Sequence, residues 1–134
     1  MDPTRKLSPI VGALLLLFFC VPASADEAYD KCVNASDGTN PAFSACGADW
    51  MKREDAKLNT AWKRVFAQLD GDAKAALLAE QRAWNAFKET SCKFYATGDF
   101  GREGESVQFP ICRAQMMAAR TAVLDGYGKF LQQR

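Results

Sequence analysis

Residues 40–72 read NPAFSACGADWMKREDAKLNTAWKRVFAQLDGD, and this stretch decides the fold. Phe43, Cys46, Trp50, Leu58, Trp62, Val65 and Leu69 recur at steps of three, four and eight, the period of a helix with one apolar stripe rather than of an alternating strand. Asn40 is suited to cap this helix and Pro41 to occupy its first turn, where a missing N–H costs nothing. Asp70-Gly71-Asp72 ends it, with Gly71 fitted to a left-handed terminal turn and Asp72 to capping whatever helix follows. One long helix of about 28 residues is predicted, followed by a reversal of the chain.

Reading outward toward the C-terminus, Leu77, Trp84, Phe87, Cys92 and Tyr95 form a second stripe that runs to about Ala96. A two-residue break between long helices makes them antiparallel neighbours. Between Thr97 and Gln108 the period fails: Gly98, Gly101 and Gly104 alternate with Asp99, Arg102, Glu103 and Glu105, so this segment is predicted to be a loop. Pro110 then opens a last helix whose apolar face is predicted to be Cys112, Met116, Ala119, Val123, Tyr127 and Phe130, with Gly126 and Gly128 fraying its end. Toward the N-terminus, Ala28 to Val33 predicts a short helix ahead of the turn-forming run Ser36-Asp37-Gly38-Thr39-Asn40. The expectation is an all-α, small antiparallel helical bundle of three long helices plus a short N-terminal helix, with the tryptophans and the Met116-Met117 pair packed in or beside the core.

Residues 1–25 have the makings of a cleavable signal peptide: Arg5 and Lys6, an apolar run from Ile10 to Val21, and the small-x-small signal Ala23-Ser24-Ala25. The apolar run is too short for a permanent membrane span, and Pro22 closes it. Cys20 invites a lipoprotein reading, but Phe18 and Phe19 stand where lipid attachment favours small residues. Cleavage after Ala25 leaves a single domain, residues 26–134, destined for the periplasm or the medium with no permanent membrane anchor. It removes Arg5 and Lys6 from the 17 basic side chains and Asp2 from the 16 acidic ones, so the domain is electrically balanced. A balanced domain has no long-range attraction for a phosphate backbone, and nucleic acid is not an expected partner.

Cleavage also removes Cys20 and leaves Cys32, Cys46, Cys92 and Cys112, an even number in an exported domain. Two disulfides are expected. Three pairings are open; the sequence-local one joins Cys32 with Cys46 and Cys92 with Cys112. A metal site is not expected, because no C-x-x-C pair and no histidine is present. The same lack of histidine removes the Ser-His-Asp and Cys-His arrangements of nucleophilic catalysis. Carboxylate neighbours such as Glu54 and Asp55, Asp70 and Asp72, or Glu103 and Glu105 are ordinary features of a solvated surface, and no phosphate-cradling glycine motif occurs. Neither an enzyme nor a cofactor is expected.

Several short runs, weak singly, are specific in their order. Asp55-Ala56-Lys57-Leu58-Asn59 is followed by Leu78-Ala79-Glu80-Gln81-Arg82-Ala83-Trp84, then by Phe87-Lys88-Glu89-Thr90-Ser91-Cys92, a glycine-rich gap, Cys112 and Arg120-Thr121-Ala122-Val123-Leu124. From about Cys32 to Leu124 the chain resembles the lysozyme inhibitor LprI-like family of small secreted domains. It departs from that pattern at Lys88-Glu89, where the family usually has Arg-Asp, at Gly104-Glu105-Ser106, where a compact glycine-serine element is usual, and at Met117, where threonine is common.

The resemblance implies an exported protein-binding module of the cell envelope, with lysozyme or another envelope protein as partner. An envelope-stress or assembly module that binds another protein or peptide is the alternative, and a small-ligand carrier, which would need a sizeable apolar cavity, is a third reading. If an enzyme is blocked, the irregular segment is the expected contact, because rigid scaffolds commonly present binding loops. Asp99, Glu103 and Glu105 would meet a basic rim, while Arg102 or Ser106 would reach catalytic carboxylates. Asp55, Asn59, Gln81, Arg82 and Arg120 are expected to be a structural polar motif, bonded to loop backbone or to acids such as Asp55 and Glu89.

Overall fold

A computed structural model describes residues 26–134; the expected signal peptide and its cleavage site after Ala25 lie outside the described residues. Helix α1 (Glu27–Ala35) leads into α2 (Asn40–Phe66), which reverses into α3 (Gly71–Lys93); after a short helical tip the chain returns as α4 (Phe109–Gln132). The described residues contain no strand, so the all-α expectation holds. Cys32 is joined to Cys46 and Cys92 to Cys112, each pair with Cα atoms 5.7 Å apart, which is the sequence-local pairing.

The helix starts differ slightly from expectation. Asp26 caps α1 by accepting the Tyr29 N–H at 2.9 Å. Thr39 rather than Asn40 caps α2, its hydroxyl facing the Ala42 N–H at 3.4 Å while Asp37 fixes the Thr39 side chain. At the reversal Gly71 takes the expected positive φ of 49°, but α3 begins there, and the cap position belongs to Asp70 instead of Asp72.

The closest-packed pair is α2 with α4. They run in the same direction, since Gly47 meets Pro110 at one end and Val65 meets Gly128 at the other. Small residues allow this approach. A Cβ on Gly47 would fall 2.6 Å from the Pro110 Cβ, inside any real contact distance. Gly128, expected to loosen the end of α4, is instead buried against Val65, and the helix continues past it. Leu58, Ala61, Val65, Leu77, Met117 and Leu124 form the main core, with Trp62 and Trp84 half-buried beside it. A second cluster of Tyr29, Trp50, Ala114 and the Cys32–Cys46 bridge ties α1 to the start of α2 and α4.

The apolar face of α4 is a correction. Its buried positions are Pro110, Ala114, Met117, Arg120, Leu124 and Gly128, whereas Ala119, Val123, Tyr127 and Phe130 are exposed. This helix is apolar on more than one side, and the face that reaches the core is the one whose small residues let the α2 backbone come close. Phe87 of α3 is likewise 61% exposed, although it falls on that helix's apolar spacing.

Candidate functional site

The tip between α3 and α4 contains the segment predicted to be a loop, and most of it is helical. A tight turn at Phe94–Ala96 extends α3, and residues 97–100 make the bend. A helical turn at Gly101–Glu103 then passes through a wide π-type turn, Gly104–Gln108, directly into α4. The wide turn has a cause in Pro110. Proline lacks an N–H and its ring crowds the carbonyl four residues back, so a helix running into it must widen or break. Here it widens, and the Phe109 N–H bonds the Gly104 carbonyl five residues earlier.

Gly104 is what lets this turn fold down on the end of α3. A Cβ there would collide with the Tyr95 carbonyl oxygen and sit 2.7 Å from the Phe100 Cβ. Gly98 and Gly101 have φ values of 91° and 58°, left-handed angles at which a side chain is strained. The glycines that broke the apolar period thus form the tip rather than loosen it. The Cys92–Cys112 bridge closes its base.

Three aromatic rings meet on this base. Phe94 and Phe100 have centroids 4.9 Å apart, Phe94 and Tyr95 5.2 Å, and Tyr95 and Phe100 6.3 Å. Phe94 is 58% and Phe100 46% exposed, so the cluster shows ring faces to solvent. Asp99, Arg102, Glu103 and Glu105 are exposed around it. No ion pair among the described residues engages Asp99, Glu103 or Glu105. Ser106 is different: it is buried in the wide turn and is in no position to reach out to a partner.

The expected polar motif separates into pieces. Asn59 donates to Asp55 at 2.9 Å on an exposed face of α2. Arg120, buried in the seam between α3 and α4, donates its Nε to the Gln81 Oε1 at 2.9 Å and its Nη1 to Glu80. Tyr127 donates to the same Glu80 oxygen at 3.0 Å; burial, then the Glu80 carboxylate, pushes its phenol above the usual value. Arg120 therefore meets Glu80 and Gln81, not Asp55 or Glu89. Arg82 is exposed, and no hydrogen bond or ion pair of its side chain occurs among the described residues.

Glu89 is held by Arg113, whose Nη1 donates at 2.8 Å while Nη2 takes the other carboxylate oxygen, and by the buried Lys88 at 3.5 Å. Arg113 brings to Glu89 from α4 a planar fork that the ammonium of Lys88 cannot offer. Nothing in the chain order links Arg113 to residue 89, so the pair becomes visible only in the folded chain.

Of the carboxylate neighbours, Glu54 is buried and paired with Lys57 at 2.7 Å, while Asp55 is exposed. At the end of the bundle away from the tip, Leu69, Leu77, Tyr127, Phe130 and Leu131 line an open groove of about 290 Å³. No helix among the described residues is long and apolar enough to cross a membrane.

Fold and site together define a class: a disulfide-stapled helical scaffold that presents a crosslinked, aromatic and acidic tip. The chain belongs to the lysozyme inhibitor LprI family, whose model matches residues 32–124. Neither the curated proteins nor the solved structures yield a significant match. The family is one of inhibitors rather than enzymes, and together with the two disulfides it fits an extracytoplasmic protein.

Proposed function

We propose that the domain is exported to the periplasm or the medium after cleavage behind Ala25, and that it inhibits a lysozyme-type wall hydrolase by docking its clamped tip. One observation carries this reading: in a protein of the lysozyme inhibitor family, the segment between Cys92 and Cys112 leaves Asp99, Glu103 and Glu105 exposed without ion pairs. Many lysozymes are basic and carry their catalytic acids in a cleft, so unpaired carboxylates on a preformed projection suit such a partner. Preformation lowers the ordering cost of binding.

The test is a cell-wall clearing assay run with oxidised and reduced protein against several lysozyme types. Oxidised protein is expected to slow clearing. Replacing Glu103 and Glu105 together by alanine is expected to weaken it mainly through a slower association rate that also loses its salt dependence. Absence of inhibition by a high micromolar excess of oxidised protein would overturn the proposal.

A further inference from the structure

We propose that Phe94 and Phe100 are the anchor of the inhibitory contact, entering the sugar-binding cleft of the target hydrolase as flat apolar surfaces while the surrounding acids steer the approach. This rests on the lysozyme-inhibitor reading above and deepens it. Charged groups on an interface rim set encounter rates, whereas most of the binding energy resides in a few desolvated anchors, aromatic residues foremost. Among the described residues the tip is where exposed aromatic rings touch one another: Phe94, Tyr95 and Phe100 form one cluster, and two of its three members are exposed.

The cluster stands on a closed base. The Gly104 turn packs against the Tyr95 backbone carbonyl and the Phe100 Cβ, and the Cys92–Cys112 bridge closes the segment, which limits the ordering required on contact. Three unpaired carboxylates in the same short segment give the occupant its chemistry, a surface with positive charge around an apolar recess. A cleft that accommodates the flat faces of sugar rings, in a basic glycan hydrolase, has that form.

Phe130 supplies the control. It is 60% exposed, as open as Phe94, but lies at the opposite end of α4 beside the open groove. Inhibition constants of the wild type, Phe94→Ala, Phe100→Ala and Phe130→Ala are to be measured against a basic lysozyme, each variant first checked by near-ultraviolet circular dichroism and for absence of free thiols. Phe94→Ala and Phe100→Ala are each expected to raise the constant at least tenfold through faster dissociation, with Phe130→Ala unchanged and Phe94→Tyr close to wild type. A chito-oligosaccharide that fills the cleft should compete with the wild-type protein.

If the wild type inhibits but both phenylalanine variants match it, or if the oligosaccharide does not compete, the anchor is overturned and the lysozyme-inhibitor reading survives. If the wild type inhibits no basic lysozyme, both fall together.

Discussion

The two disulfides close loops of similar size, with sequence separations of 14 and 20, yet the loops they close are built in opposite ways. The Cys32–Cys46 loop satisfies itself. Ser36 donates to the Val33 carbonyl at 2.8 Å, Asp37 accepts from both the Thr39 N–H and hydroxyl, and Asp26 ties the start of α1 to Arg53 of α2. The Cys92–Cys112 loop instead turns aromatic rings and unpaired carboxylates toward solvent. Each crosslink joins two helices that other contacts also join, but the second also closes the base of a surface that solvent alone would not favour. The same bond chemistry therefore staples the helix ends in the first case and, on the proposed reading, supports the binding surface in the second.

The sharpest way to break that contrast is to remove the bridges in pairs. Replacing both Cys92 and Cys112 by alanine, or both Cys32 and Cys46, is expected to cost about 3 kcal/mol of stability in either case, read by denaturant unfolding. Only the first replacement is expected also to abolish lysozyme inhibition under conditions where the domain remains folded. Equal loss of inhibition from the two would erase the distinction.

A smaller effect is expected from Gly104→Ala, whose added methyl must displace the Tyr95 carbonyl or the Phe100 side chain. Overpacking of this kind costs about 1–3 kcal/mol, and here it should also separate the rings, so that inhibition weakens more than stability falls. The smallest effect belongs to Asp26 beside the first loop. Burial opposes ionisation of its carboxyl, but the Tyr29 N–H, Arg53 and Lys57 outweigh that and hold it below its ordinary 3.8. A lowered carboxyl stabilises the fold above the unfolded value, and that contribution is lost as pH falls through the folded one. Asp26→Ala is therefore expected to lower stability by about 1 kcal/mol at pH 7, with the gap to wild type narrowing below about pH 4 and inhibition unaffected.

Much of this architecture was legible in the residue order. The stripe on α2, the reversal at Gly71 and the four cysteines of residues 26–134 are signals in the residue order, and each carries its own physical reason. The face of α4 was not legible, because its period fits more than one side of an apolar helix and the choice depends on how closely Gly47 and Gly128 let α2 approach. The tip was half legible. Its glycines and acids announced an irregular exposed segment, but Phe94 and Phe100 sit six positions apart with a break in period between them, so nothing short of folding brings their rings together. Arg120 is legible as a structural residue, but its partners Glu80 and Gln81 come from a neighbouring helix in an alignment that sequence spacing does not set.

The Cys92–Cys112 bridge has a further consequence for how the domain would respond to proteolysis. Because it spans the base of the exposed tip, a peptide bond cut anywhere between those two cysteines leaves both fragments covalently joined. A nicked molecule would keep its α2–α4 core and travel as one species on a gel until a reductant is added. Cleavage within this exposed tip thus does not release a piece of the protein.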